Sequence, residues 1–172
     1  MIRPGACPHD AVAPLGGEAV ADALTRAEAR CIAHGERWTP PRQRVYQLLA
    51  VTNRPVKAYD LIAAFAPGRA TKPPTVYRAL DFLVGLGLAH RLVSQNAFVA
   101  CTVAHAHAAS EFLICDCCGR VAERRSDVVD SIMVATAAQG FQLRILISEV
   151  HGICGRCQKA PTERTKQDKP RA

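Results

Sequence analysis

Two C-x-x-C pairs, Cys115/Cys118 in "CDCCG" and Cys154/Cys157 in "CGRC", are the residues of this 172-residue chain best equipped for chemistry. A two-residue spacer lets both thiolates of one turn face a single ion, and two such turns complete the tetrahedral sulfur shell that zinc takes in structural sites. Redox-active pairs are the rival, but those normally come singly, at a helix N-terminus after a strand. Cys117 lies inside the first pair, so a register in which it replaces a neighbour stays open at this point. The 35 residues between the pairs exceed the spacing of a simple zinc ribbon, so intervening elements must bring the turns together.

A second set is mixed in donor type. Cys101 lies close in sequence to His105 and His107, and His90 precedes it on a segment that could return to the same side. Only one of His105 and His107 should face an ion, because alternate residues of an extended strand point in opposite directions. The bland alternatives are a packed or surface His90 and a Glu123 ion-paired with Arg124 or Arg125. His151 precedes the second pair and reads as a neighbour of the ligands at most. A hydrolytic zinc would need an open coordination position with a base beside it, and no H-E-x-x-H pattern occurs. A zinc or thiol-redox enzyme is therefore the weaker class.

The elements that must position these donors follow from periodicity. "EAVADALTRAEARCIAHG" predicts a helix closed by Gly35, and "TPPRQRVYQLLAV" a second with Thr39 as cap and proline in its first turn. "KAYDLIAAFA" predicts a short third helix. "KPPTVYRALDFLVGLG" predicts a fourth, with Val76, Leu80, Leu83 and Val84 on one buried face. "LAHRLVSQNAFVAC" alternates around Ser94-Gln95-Asn96 and predicts a hairpin. Three helices followed by a hairpin is the layout of a winged helix-turn-helix, whose last helix enters the major groove; a small helical bundle that binds nothing shares that layout. Beyond it, "EFLICD" and "GRVAERR" predict strands, "SDVVDSIMVATAAQ" a helix capped by Ser126, and "FQLRILISEVHGIC" a long strand ending in a cysteine turn. The fold class expected is α+β. Its parts are a flexible arm (1–17), a winged-helix DNA-binding domain (18–101), a linker (102–109), a small C-terminal α/β domain (110–157) stapled by a zinc on four cysteines, and a disordered basic tail (158–172).

Charge agrees with that division. The net charge is +7, and residues 37–91 carry nine basic against two acidic residues, so this segment holds an excess equal to that of the whole chain. No stretch is apolar enough to span a bilayer, and the first residues lack a secretory core, so a cytoplasmic protein is expected, with no membrane partner. In a reducing compartment eight cysteines point to metal or redox chemistry rather than disulfides.

"KPPTVYRALDFLVGLGLAHRL", "FLICDCCGRVAE" and "EVHGICGRC" together resemble the ferric uptake regulator family of bacterial metal-responsive repressors, collinearly over about residues 18–157. Within it they most resemble the zinc uptake regulator subgroup. The resemblance implies no enzyme and no small-molecule substrate. It implies instead a homodimer, joined through the C-terminal domain, that binds an inverted-repeat operator in double-stranded DNA when zinc is plentiful and represses zinc-uptake genes. It implies two zinc ions per chain, a structural one on the four cysteines and a regulatory one on His90, Cys101, His107 and Glu123. One thiolate, two imidazoles and a carboxylate suit zinc better than manganese or ferrous iron. The missing histidine in "FQLRILISEV" weakens the reading as an iron or peroxide sensor of the same family. For DNA, Lys72, Thr75, Tyr77 and Arg78 at the entry of the fourth helix, with Tyr59 before it, are the expected contacts, and Arg42 and Arg44 expected phosphate partners. A zinc joining the two domains would hold the paired reading helices about one turn of DNA apart, roughly 34 Å.

Overall fold

A computed structural model describes residues 15–52, 54–68, 72–101, 110–143, 146 and 148–159. The expected linker 102–109, with His105 and His107, lies outside the described residues, as do residues 1–14 of the arm and 160–172 of the tail.

Helix α1 (Gly17–Ala33) buries Val20, Ala23, Ala27 and Cys31, one stripe at three- and four-residue spacing. Gly35 ends it at φ +70, a conformation that costs other residues, and Glu36 N–H then reaches back to the Cys31 carbonyl at 2.9 Å. Helix α2 (Pro40–Thr52) buries Val45, Tyr46, Leu49 and Ala50, and α3 (Ala58–Phe65) buries Leu61. Helix α4 (Pro73–Gly85) starts on two prolines, whose missing N–H groups would have been unpaired in a first turn. Its buried stripe is Val76, Ala79, Leu80 and Leu83. Val84, expected on that face, is exposed, because it sits a further 100° round the helix from Leu83. These stripes make one core with Leu88, Ala89 and Phe98.

The expected hairpin is β1 (Ala89–Leu92) and β2 (Ala97–Ala100), antiparallel from Ala89↔Ala100 to Leu92↔Ala97. Val56 adds an isolated bridge on the other side of β2, exchanging both backbone hydrogen bonds with Phe98 at 2.8 Å, so the wing is tied to the α2–α3 connection.

The second sheet has the order β4-β3-β5. Strand β3 (Ser110–Cys115) pairs antiparallel with β4 (Val121–Arg125) and parallel with β5 (Glu149–Gly152). Helix α5 (Asp127–Ala138) connects them; Ser126 precedes it as expected but makes no side-chain capping bond. The long strand expected from Phe141 onward is shorter. Residues 141–143 carry no regular structure, and β5 finds its ladder only where β3 offers Phe112 to Cys115. The second cysteine turn continues as a single helical turn, α6 (Gly155–Lys159), held by Gln158 N–H to the Cys154 carbonyl at 3.0 Å, so regular structure runs two residues into the segment expected as tail.

Wing and sheet share a small core of their own. Leu92 of β1 and Val99 of β2 pack with Phe112 and Ile114 of β3, with Val121 at the margin. Each such side chain contributes about 1.5–3 kcal/mol when fully buried, so apolar contact is part of what holds the wing on the sheet.

Candidate metal centres and nucleic-acid face

Cys115 closes β3, and its turn returns at Gly119, which adopts φ +69 and donates its N–H to the Cys115 carbonyl at 2.9 Å. Cys154 precedes α6 and Cys157 lies within it. Because β3 and β5 run parallel, with Cys115 opposite Gly152, both knuckles emerge at the same end of the sheet. The sulfurs of Cys115, Cys118, Cys154 and Cys157 lie within 4.8 Å of one another. The Cys118–Cys154 separation of 3.9 Å is close to the roughly 3.8 Å edge of a tetrahedron with zinc–sulfur bonds of about 2.3 Å. Burial would raise the Cys115 thiol, but backbone N–H groups of Cys118, Cys154 and Cys117 outweigh it and bring it down to about 6. Backbone donation from Cys157 also lowers Cys154, whereas burial raises Cys118. Cys117 packs beside the cluster without being one of the four convergent sulfurs.

His90, Cys101 and Glu123 form the second convergence, again within 4.8 Å. His90 comes from β1, Cys101 follows β2, and Glu123 comes from β4, so the donors belong to both sides of the wing–sheet contact. Glu123 Oε1 lies 3.0 Å from His90 Nε2 and 3.7 Å from Cys101 Sγ. Tetrahedral zinc would set such atoms roughly 3.3–3.7 Å apart. His90 Nε2 is buried and, despite that 3.0 Å approach, has no aligned hydrogen bond, which is the arrangement of a donor aimed at a shared point rather than at its neighbour. Burial pushes the imidazole pKa down, but the Cys101 thiol and the Glu123 carboxylate overcome that and hold it at about 9. The donor set of imidazole, thiol and carboxylate fits zinc. Glu123 is not an ordinary surface ion pair. Its neighbour Arg124 turns to Glu111 instead, through Nε at 2.6 Å and Nη2. His107, the remaining expected ligand, lies outside the described residues.

On the winged helix, Tyr59 is 79% exposed and Tyr77 48% exposed, so neither is a core tyrosine. Lys72 and Arg78 are exposed and Thr75 half-buried at the start of α4, on the faces its buried stripe leaves free. The expected phosphate contacts of Arg42 and Arg44 do not fit. Arg44 donates to the Phe65 carbonyl at 3.2 Å, the Ala64 carbonyl at 3.1 Å and Gln47, satisfying the end of α3. Arg42 covers the Phe82 ring at 3.2 Å and bonds Glu36 and the Arg37 carbonyl. Both guanidinium groups are committed to internal partners.

One group escaped sequence reasoning. The Glu149 carboxylate accepts the backbone N–H of Val93 at 2.6 Å and of Ser94 at 3.1 Å, gripping the turn of the wing. Burial would raise its pKa, but the Ser94 hydroxyl and these two N–H groups hold it below the usual carboxylate value. His151 lies beside the cysteine site as expected, bonding Asp116 of the first cysteine turn at 2.9 Å, and it also reaches the Ser94 hydroxyl at 3.1 Å.

Residues 33–150 match the ferric uptake regulator family. The zinc uptake regulation protein of Escherichia coli (strain K12) is 40% identical over 138 residues, 78% of this chain and 80% of that protein. The structure of a zinc uptake regulator complexed with zinc and DNA is 38% identical, covers 81% of this chain and 95% of its own, and superposes with a TM-score of 0.73. XcZur provides both states of one relative. Its holo form, 42% identical over 81% of this chain and 99% of its own, gives 0.74, and its apo form, 41% identical over 82% and 99%, gives 0.50. The chain thus superposes better on the holo form than on the apo form. The chain belongs to the ferric uptake regulator family.

Proposed function

We propose that this protein is a zinc-responsive transcriptional repressor that binds an inverted-repeat operator as a zinc-loaded homodimer and represses zinc-uptake genes. The observation that carries the reading is the convergence of His90 and Cys101 from the wing with Glu123 from the sheet. Bound there, zinc supplies directional bonds to donors on both sides of the contact. The chain's own residues do the rest. Leu92 and Val99 seat the wing on Phe112 and Ile114, and the seated wing fixes where α4 presents Lys72, Thr75, Tyr77 and Arg78, while α3 contributes the exposed Tyr59. His107 completes the regulatory set, and Cys115, Cys118, Cys154 and Cys157 hold a separate structural zinc, two ions per chain. Residues 18–101 then act as the reading domain and 110–157 as the dimerisation domain. The latter leaves Val128, Val134 and Phe141 exposed by 64, 71 and 63%, and among the described residues its sheet ends in β4 and β5 with no further strand. A partner subunit accounts for both.

Differential affinity is sufficient to drive the response: metal that binds the seated form ~100-fold better stabilises it by about 2.7 kcal/mol. A gel shift on inverted-repeat DNA with metal-chelated protein titrated by zinc tests this. Operator binding should rise with the second zinc equivalent, and equal binding with and without zinc would overturn it.

A further inference from the structure

We propose that Glu149 is a positioning residue for zinc sensing, a carboxylate latch that holds the wing's turn in the seated arrangement without touching the metal. The inference rests on the zinc-clamp reading above and adds a second, metal-independent grip to it.

The register of the C-terminal sheet carries the argument. Phe112 of β3 stands opposite Glu123 of β4 on one side and opposite Glu149 of β5 on the other, so a single rung reads Glu123, Phe112, Glu149. Neighbours on a rung project to the same face, and strands lie about 4.8 Å apart, so the two carboxylates stand roughly 10 Å from each other. All three members of the rung meet the wing. Glu123 meets His90 and Cys101, and the Phe112 ring lies 4.9 Å from the His90 ring. Glu149 takes the two N–H groups of the turn.

Those N–H groups follow directly on Leu92, the last residue of β1 and fully buried in the contact. His90 is two residues back along the same strand, on the same face as Leu92. Pinning the turn therefore fixes the position of β1 along the sheet and, with it, the distance of the His90 imidazole from Glu123. The grip is a built one, since the Glu149 side chain is only 8% exposed and accepts at both oxygens. It is also braced: His151, two residues on in β5, holds the Ser94 hydroxyl and Asp116, whose own N–H bonds the Gly152 carbonyl at 2.8 Å.

The latch contributes to affinity at a site where it is no ligand. Loosening it should weaken regulatory zinc and shift the zinc dependence of operator binding to higher zinc by about the same factor, while the four-cysteine zinc stays in place. The test is zinc competition against a chelating dye with the full-length protein, together with operator binding across a zinc titration, for wild type, Glu149→Gln and Glu149→Ala. Retention of one tightly held zinc and of the wild-type mass in solution controls for folding. The expected order is wild type, then Gln, then Ala, with Glu149→Ala about tenfold weaker in second-site zinc affinity. Gln is intermediate because its one carbonyl keeps one of the two bonds. Ser94→Pro approaches from the other side: Ser94 follows Val93 in a turn closed by Asn96 N–H to the Val93 carbonyl, a position that favours proline, and the substitution deletes both the N–H that Glu149 accepts and the hydroxyl that His151 holds. It should weaken the second zinc in the same way, and it serves as the deciding variant if Glu149→Ala does not fold. Second-site zinc affinity unchanged in the folded variants overturns the latch while leaving the clamp standing. A wild type that takes up no second equivalent, or gains no operator affinity from it, overturns the clamp and the latch together.

Discussion

The two donor clusters differ in where their ligands come from, and that difference separates a permanent site from a responsive one. The four cysteines sit at one end of one sheet, delivered by a single pair of parallel strands and largely buried. Any conformation that keeps the sheet keeps the site. His90, Cys101 and Glu123 are drawn from the wing and from the sheet, half-buried at their contact, and converge only while the two are seated together. A metal held by the first group reports that the chain is folded; a metal held by the second reports how its parts are arranged.

The most damaging test of this contrast is Cys154→Ser. Structural zinc supplies on the order of 10 kcal/mol of folding free energy in small domains, so this variant should lose the tightly held zinc and the dimer together, read by metal analysis and mass in solution. Cys101→Ala should instead keep both, while losing the second zinc equivalent and about 100-fold of zinc-dependent operator affinity. If Cys101→Ala also dissociated the dimer, the two centres would not be separable. Lys72→Ala should leave both zinc equivalents intact, weaken operator binding about tenfold regardless of sequence, and lower the salt slope by about one. The smallest effect concerns pH. Glu149 is depressed below its ordinary 4.5 in the folded chain, so its contribution is complete above that value and is lost as pH falls through the lower folded one. The stability gap between wild type and Glu149→Gln in urea should therefore be constant near neutrality and close only on acidification below 4.5.

The cysteine pairs were legible because a C-x-x-C turn is a local device whose spacing states its geometry. The helices and hairpin were legible for a similar reason, since periodicity and turn residues act within a few positions. Glu149 was not. Its partners are backbone N–H groups 55 and 56 residues away, which leave no side-chain signature in the sequence. Arg42 and Arg44 misled because a basic residue on an amphipathic helix looks the same whether it faces phosphate or caps a neighbouring helix. Of the long strand expected after α5, the described residues keep Glu149–Gly152, the stretch that finds a partner in Phe112 to Cys115 of β3, a tertiary pairing that periodicity does not state.

The apolar seat of the wing leaves a calorimetric trace. If the second zinc draws the wing down onto the sheet, Leu92, Val99, Phe112 and Ile114 leave water in the same event, and loading should lower the heat capacity by more than bond formation alone would. Hydrophobic attraction fades on cooling, so a sensor assembled this way should become less sensitive to its ion in the cold.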